Sequence, residues 1–443
     1  MLNKRDDKIY DVAIVGGGII GAAALFLLSR YTNISKIIIL EKEAKPGLIN
    51  SNSENNSQTL HIGDIETNYS LEKAKRVKIQ AAFLEKYLEK FAPKDAFRKM
   101  NKMVLAVGRE EVRELEKRYE IFKSEYPNLR KIKKEEIGKL EPRLVDGRNP
   151  SEPLLALVSQ GYAVDFGRIA ASFIEESGKS QKAPQIFFET EVKSINPRER
   201  FYELSTSKGE FFARTVFVAA GPKSLVFAKK LGYGKEFGIL PVAGNFYRVK
   251  NALQGKVYMM QIPGMPFAAI HGDPDIKNPE ETRFGPTIRV LPLLERHNYK
   301  TMKDFLLTSV WSLEGALSLI KITFSPKILR YVVKNIFYDL PFIGKRLFTN
   351  WELRKIIPSL KPHEVSLISG VGGIRPQVVN IKEKKLEFGE AEIIGKNIIF
   401  SITPSPGASV ALGYAKSIVQ KIVEFLGQEF YFDEEKFNKD FLV

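Results

Sequence analysis

The pattern that most limits how this chain can fold is a glycine-spaced turn near its start. Val12-Ala13-Ile14-Val15 is an apolar run of the kind that forms a strand buried on both faces of a parallel sheet. Gly16-Gly17-Gly18-Ile19-Ile20-Gly21 follows at once, which puts Gly16, Gly18 and Gly21 in a G-x-G-x-x-G spacing. Residues 22–30 then read as a helix of small and apolar residues, and a second apolar run, residues 37–40, ends at Glu41. Each part has a task. Gly16 permits the tight turn, Gly18 lets the backbone approach a pyrophosphate, and Gly21 lets the helix pack close to the strand. The helix start offers free N–H groups and partial positive charge to phosphates. Glu41 sits where a carboxylate accepts hydrogen bonds from ribose hydroxyls. The unit predicts dinucleotide binding. A glycine-rich turn in an unrelated fold would leave Glu41 unexplained.

Two later segments extend the site. Residues 215–219 read as a buried strand that leads into Ala220-Gly221-Pro222. This turn resembles the second flavin-domain motif of FAD oxidoreductases, in which a strand edge, here Glu191-Val192, serves the adenine. Residues 398–402 form another strand pattern. They lead through Thr403-Pro404-Ser405-Pro406-Gly407-Ala408-Ser409 into a helix at 410–426. Gly407, Ala408 and Ser409 make a second small-residue helix start, suited to the flavin's carbonyl end or ribityl chain. The site is thus expected to be built from both ends of the chain, which favours FAD over a nicotinamide.

Composition narrows the chemistry. The chain has 443 residues, enough for two domains or one large composite one. It has no cysteine, which excludes disulfides, thiolate metal sites and thiol nucleophiles. No metal site is expected. There are four histidines, so any imidazole base is His61, His271, His297 or His363. His297 and His363 stand beside charged or proline residues and read as surface positions. The net charge of +16 fits a lysine-rich surface, anionic lipid or an acidic substrate. No RNA-binding motif is visible, so no nucleic-acid partner is expected. The first ten residues lack a secretory apolar stretch, and no uncharged apolar run approaches 18 residues, so no transmembrane helix is expected.

The fold class is α/β: a Rossmann-type FAD-binding domain with an interleaved α+β substrate domain built on an antiparallel sheet. The FAD-binding domain is assigned to residues 1–70, 155–225 and 365–443, and the substrate and membrane-facing domain to 71–154 and 226–364. Residues 71–138 read as mainly helical, with 110–120 an amphipathic helix. Residues 186–194 and 201–206 read as short strands. Between 238 and 287 the pattern is mostly strand, at 240–242, 244–250, 256–261 and 268–271, and is expected to form a sheet lying over the flavin.

The segment Asn55-Asn56-Ser57-Gln58-Thr59-Leu60-His61-Ile62-Gly63-Asp64-Ile65-Glu66-Thr67-Asn68-Tyr69 is polar and holds a histidine near a glycine. Four further stretches are distinctive: Ala269-Ile270-His271-Gly272-Asp273, Phe284-Gly285-Pro286, Gly373-Ile374-Arg375-Pro376-Gln377 and Ser405-Pro406-Gly407-Ala408-Ser409. Together they resemble the malate:quinone oxidoreductases, most of all the shorter bacterial branch, over nearly the whole chain. L-2-hydroxyglutarate oxidases share the spaced histidines and the Gly-Pro step. The commoner branch has glycines where this chain has Gln58 and Leu60, so the flavin loop, with Ser57, Gln58 and Thr59 as cofactor contacts, is expected to be shaped differently.

The resemblance implies oxidation of (S)-malate to oxaloacetate, with hydride passing from C2 to flavin N5 and electrons to membrane quinone. Such chemistry needs a base for the hydroxyl proton and cations for the carboxylates. His271 is favoured as base, on the sheet facing the flavin. His61 then orients substrate or supports the flavin, and the reverse assignment stays open. Arg375 is the expected carboxylate clamp, since its planar fork matches a carboxylate in two parallel bonds. Gln377, Tyr69 and Arg283 are candidates for a second anchor. L-2-hydroxyglutarate oxidation by the same machinery is the runner-up, and a glycine- or sarcosine-type amine oxidase is more distant.

Residues 300–355 interleave apolar and basic side chains and contain both tryptophans of the protein, Trp311 and Trp351. Basic, aromatic, amphipathic helices lie in membrane interfaces. The alternative is a set of core-facing helices with solvated lysines. With the family resemblance, this pattern predicts peripheral attachment to an anionic lipid surface on the cytoplasmic side of the cell membrane.

Overall fold

The computed structural model describes residues 8–261, 269–387, 391–402 and 406–442. The strand Ile9–Val15 pairs in parallel with Ile37–Leu40 on one side and Gly209–Val218 on the other. Gly209–Val218 then takes Ile398–Ile402 in parallel. The start, middle and end of the chain therefore meet in one eight-stranded sheet among the described residues. Central strands covered on both faces have no solvent side, which is why Val12, Ala13 and Ile14 can all be apolar and fully buried. The helix Ile19–Tyr31 is buried nearly all round for the same reason, packed against the helices Phe166–Gly178 and Ala411–Leu426.

A second eight-stranded sheet carries the remaining chemistry. Its order is Ser366–Ile368, Phe246–Lys250, Glu281–Gly285, His271–Pro274, Lys256–Met259, Phe97–Val107, Leu154–Val164 and Arg130–Lys133. Neighbours run antiparallel except Lys256–Met259 against Phe97–Val107, which is parallel. The sheet is thus mixed. A small antiparallel sheet of Arg289–Val290, Phe237–Ala243, Arg375–Asn380 and Lys385–Leu386 adjoins both.

Sequence patterning misread one stretch. Residues 71–138 do hold the helices Leu71–Lys90 and Arg109–Phe122, but between them lies the eleven-residue strand Phe97–Val107. Its basic residues disguise it. Lys102 points inward and is fully buried, paired with Asp64. Leu154–Val164, at the opening of the segment 155–225, pairs along the full length of that strand and not with the dinucleotide sheet. The strand expected at 268–271 is described as His271–Pro274, and residue 268 itself lies outside the described residues.

Residues 301–356 are helical. One face packs on the protein through Phe305, Leu319, Ile322, Ile328, Tyr338 and Phe348. The other is not polar. Trp311 is 80% exposed, Leu313 76%, Phe324 63% and Phe342 99%. The segment thus has a core-facing side, as one reading expected, and exposed apolar side chains beside its lysines. No single helix among the described residues is long and apolar enough to cross a membrane. The segments Thr301–Val310 and Leu313–Thr323 meet at a 98° bend.

Candidate active site

The glycine turn lines one end of an elongated cavity of about 280 Å³. Gly16 has φ +106°, and a Cβ there would meet Ala219 O at 2.6 Å. A Cβ on Gly21 would meet Gly16 O at 2.0 Å, so this glycine is fixed by helix packing. Gly18 differs: a Cβ would meet only Ser51 Oγ, at 3.5 Å. No atom of the described residues demands a glycine at this position, and the space it leaves belongs to the cavity. That is the arrangement needed for close approach of a pyrophosphate.

Glu41 is buried at the same end and accepts hydrogen bonds from Gly17 N at 2.5 Å and Glu43 N at 2.7 Å. Burial raises its proton affinity, and these bonds oppose the rise. Val192, Ala220, Gly221, Gly407, Ala408, Ser409, Ser57 and Thr59 also line the cavity. Gln58 does not. Its backbone is left-handed, at φ +53°. Its side chain turns away to Ser53 O, Asp275 and Ile276 N. A residue with a side chain pays for positive φ, and these three bonds hold Gln58 where glycine would sit freely.

The far end of this cavity meets a smaller one of about 40 Å³. His61, Ser57 and Arg375 border both. Ser409 Oγ accepts from His61 N at 2.9 Å, so the turn just before the helix Ala411–Leu426 holds the histidine loop in place. His61 Nδ1 lies 2.5 Å from Glu66 Oε1, and its Nε2 lies 3.4 Å from Ser57 Oγ. Burial alone would raise the Glu66 carboxyl, but the His61 bond and charge win and hold it near 2.

His271 faces the same small cavity from the second sheet. Its Nδ1 is 2.6 Å from Asp273 Oδ2, off the line of a hydrogen bond. Lys256 Nζ donates to Asp273 Oδ1 and to Ser57 O, both at 3.0 Å. Burial lowers the His271 proton affinity against the pull of Asp273, while His271 and Lys256 together depress the Asp273 carboxyl despite its burial. Tyr258 stacks on the His271 ring at 4.6 Å and shares a 2.6 Å hydrogen bond with Thr59 Oγ1. Buried charges at this density persist only when paired. Lys102 with Asp64 and Lys256 with Asp273 meet that condition.

Arg375 is the exception. It borders both cavities, and among the described residues it has no ion pair or side-chain hydrogen bond. Burial lowers its proton affinity, opposed by Tyr258 and Tyr69. A cation kept in a cavity without an anion is a site for one.

Of the other sequence candidates, Tyr69 lines the small cavity. Gln377 is buried on the Arg375–Asn380 strand outside the cavity walls. Arg283 is also elsewhere. It donates to Ser53 O, Glu54 O and Asn56 O and sits over the Phe246 ring, clamping the loop before His61. His297 and His363 are exposed. Patterning had not pointed to Glu66, Asp273, Lys256, Tyr258 or Gln261. Asp273 had a readable signal: residues two apart on a strand share a face, so it had to lie beside His271.

The model of the malate:quinone oxidoreductase family (Mqo) matches residues 8–430. A probable malate:quinone oxidoreductase of Campylobacter jejuni is 40% identical, over 98% of this chain and 99% of that one. A mitochondrial L-2-hydroxyglutarate dehydrogenase of Nematostella vectensis is 26% identical, over 96% of this chain and 92% of that one. Among solved structures, FAD-bound L-alpha-glycerophosphate oxidase of Mycoplasma pneumoniae has the same fold, with a TM-score of 0.61 at 19% identity over 95% and 96% of the two chains. Taken with a cavity shaped by Gly16, Gly18 and Glu41, these matches show that the chain belongs to the malate:quinone oxidoreductase family, FAD-dependent enzymes that oxidise a CH–OH group with a quinone as acceptor.

Proposed function

We propose that this chain oxidises (S)-malate to oxaloacetate in the small cavity and passes the electrons to membrane quinone. The observation that carries this reading is the convergence of an anion-free Arg375 with two histidine–carboxylate pairs, His61–Glu66 and His271–Asp273, on one small space next to the glycine-lined cavity. The glycine turn, Glu41, Val192, Ala220, Gly221 and Gly407–Ser409 would hold FAD, and its flavin supplies the acceptor for the hydride leaving C2. Arg375 binds the carboxylate next to C2. The negative charge of Asp273, 2.6 Å from Nδ1, favours a proton on that nitrogen, which leaves Nε2 to take the hydroxyl proton as the C–H bond breaks. His61, held by Glu66 and by Ser409 through its backbone, orients the substrate. We assign residues 1–70, 155–225 and 365–443 to the FAD-binding part and the rest to the substrate and membrane-facing part, with the strand 154–164 shared by pairing into the second sheet.

The test is anaerobic flavin bleaching by a panel of 2-hydroxy acids. Rapid reduction by (S)-malate, followed by reoxidation with a short-chain quinone, is the expected result. Reduction by L-2-hydroxyglutarate alone would shift the assignment to the second reading, which the relatedness to the Nematostella vectensis dehydrogenase supports.

The same proposal includes peripheral attachment to the inner face of the cell membrane through residues 300–355. That stretch carries ten lysines and arginines against four carboxylates. Near anionic lipid each cation contributes about 1 kcal/mol. The apolar side chains exposed beside them, Trp311, Leu313, Phe324 and Phe342, suit the acyl boundary.

A further inference from the structure

Malate has a second carboxylate, and the small cavity contains a single arginine, Arg375. Another donor must meet the distal charge, because a buried carboxylate without a partner is costly. Gln261 lines this cavity and is held from two directions. Its backbone N–H donates to Thr67 Oγ1 at 2.8 Å, and its side-chain Oε1 accepts from Asn68 N at 3.2 Å. The second bond settles which way the amide faces. A backbone N–H can only donate, so the oxygen must point to Asn68 and the NH2 group must point away from it. Among the described residues that NH2 group has no acceptor. It is an oriented, uncommitted donor on the wall of a cavity whose cation is also uncommitted.

We propose that Gln261 is the specificity-determining residue for the distal carboxylate of the substrate, with its Nε2 donating to that carboxylate while Arg375 holds the one beside C2. The proposal rests on the reading of this cavity as the dicarboxylate site. A neutral amide suits the role, since Glu66 already brings negative charge to the same space. Its anchorage to Thr67 and Asn68 fixes the reach of the donor, and reach is what separates malate from an acid one methylene longer.

The experiment uses the full flavin-loaded enzyme with a quinone-like dye. In Gln261→Ala, KM for (S)-malate and Ki for the unreactive dicarboxylate succinate rise about 10–100-fold, the loss of one hydrogen bond to a charge. The value of kcat stays within roughly threefold, as expected when a uniform binding contact is removed. Ki for the monocarboxylate propionate, which has nothing to offer Gln261, is unchanged. Gln261→Asn draws the donor back by one methylene and moves the preference between malate and L-2-hydroxyglutarate toward the longer acid. Gln261→Leu keeps the volume and repeats the alanine result if the site has not collapsed. Unchanged malate KM in all three variants overturns the proposal, as does a propionate Ki that rises in step with that of succinate. Wild-type enzyme that oxidises no dicarboxylate at all would sink the malate reading itself, a different outcome from a variant that treats malate as wild type does.

Discussion

The two joined cavities are made of different material. The larger is shaped by backbone: Gly16 at φ +106°, a helix start and strand ends. The smaller is shaped by side chains, with two histidines, a carboxylate, two tyrosines, a glutamine and an arginine supplied by four separate stretches of chain. A backbone site fails by steric exclusion, and its requirements are local. A side-chain site fails by loss of one charge from a balanced set, and its requirements are spread through the fold. Holding the cofactor and doing the chemistry should therefore be separable by mutation.

The largest expected effect is on the side-chain site. His271→Gln keeps FAD bound but lowers kcat by about 10²–10⁴, the usual worth of a positioned base. Because burial lowers the His271 pKa, the wild-type limb for loss of activity on acidification lies below the ordinary 6.5. The sign follows from the role: the neutral ring is the base, so activity is flat above the lowered pKa and falls as pH drops through it. Stability follows the same direction. The unfolded histidine takes up a proton first, so stability declines as pH falls below about 6.5 toward the folded-state pKa. Normal turnover in His271→Gln would break the division between the two cavities.

A smaller effect separates two glycines within the backbone site. Gly21→Ala places a methyl 2.0 Å from Gly16 O. It should destabilise the apoprotein by about 1–3 kcal/mol, read as a lower Tm. Gly18→Ala meets no protein atom nearer than 3.5 Å. Its apoprotein should melt as wild type does while the flavin-to-protein ratio falls. Equal melting losses for both would mean that Gly18 serves the fold and not a ligand.

The smallest effect lies outside both cavities. Phe342→Ser removes a side chain that is 99% exposed, so dye-coupled turnover and Tm should not change. Flotation with anionic vesicles should weaken by roughly 1–2 kcal/mol, less than the full burial of a phenylalanine is worth. Flotation equal to wild type would remove Phe342 from the proposed membrane face.

The backbone site was largely legible in the sequence because glycine spacing and apolar runs are local signals. Gly16, Gly18, Glu41, Ala220 and Gly407 all border the large cavity, and Gly21 lets its helix pack against Gly16. The side-chain site was legible only in part. His61, His271 and Arg375 could be named, since histidines are scarce and the arginine is flanked by glycines and proline. Of their partners, Asp273 was readable from its place two residues beyond His271, but the buried lysine contacts were not, because Lys102 reaches back 38 positions to Asp64 and Lys256 meets Ser57 across 199. Arg283 looked like a substrate anchor for want of any sign that three carbonyls of the 53–56 loop would claim it. The Phe97–Val107 strand was hidden because its buried lysine is satisfied by a carboxylate from another element.

The bond from His61 to Ser409 spans 348 positions. A ribosome adding about 5–20 residues per second needs roughly 20–70 s to cover that interval. During synthesis the glycine turn and the histidine loop emerge first, and the turn at Ser409 that steadies the loop follows only after that interval. Over that interval the nascent chain carries a half-built cradle, and stable capture of the prosthetic group has to wait until Ser409 has been made.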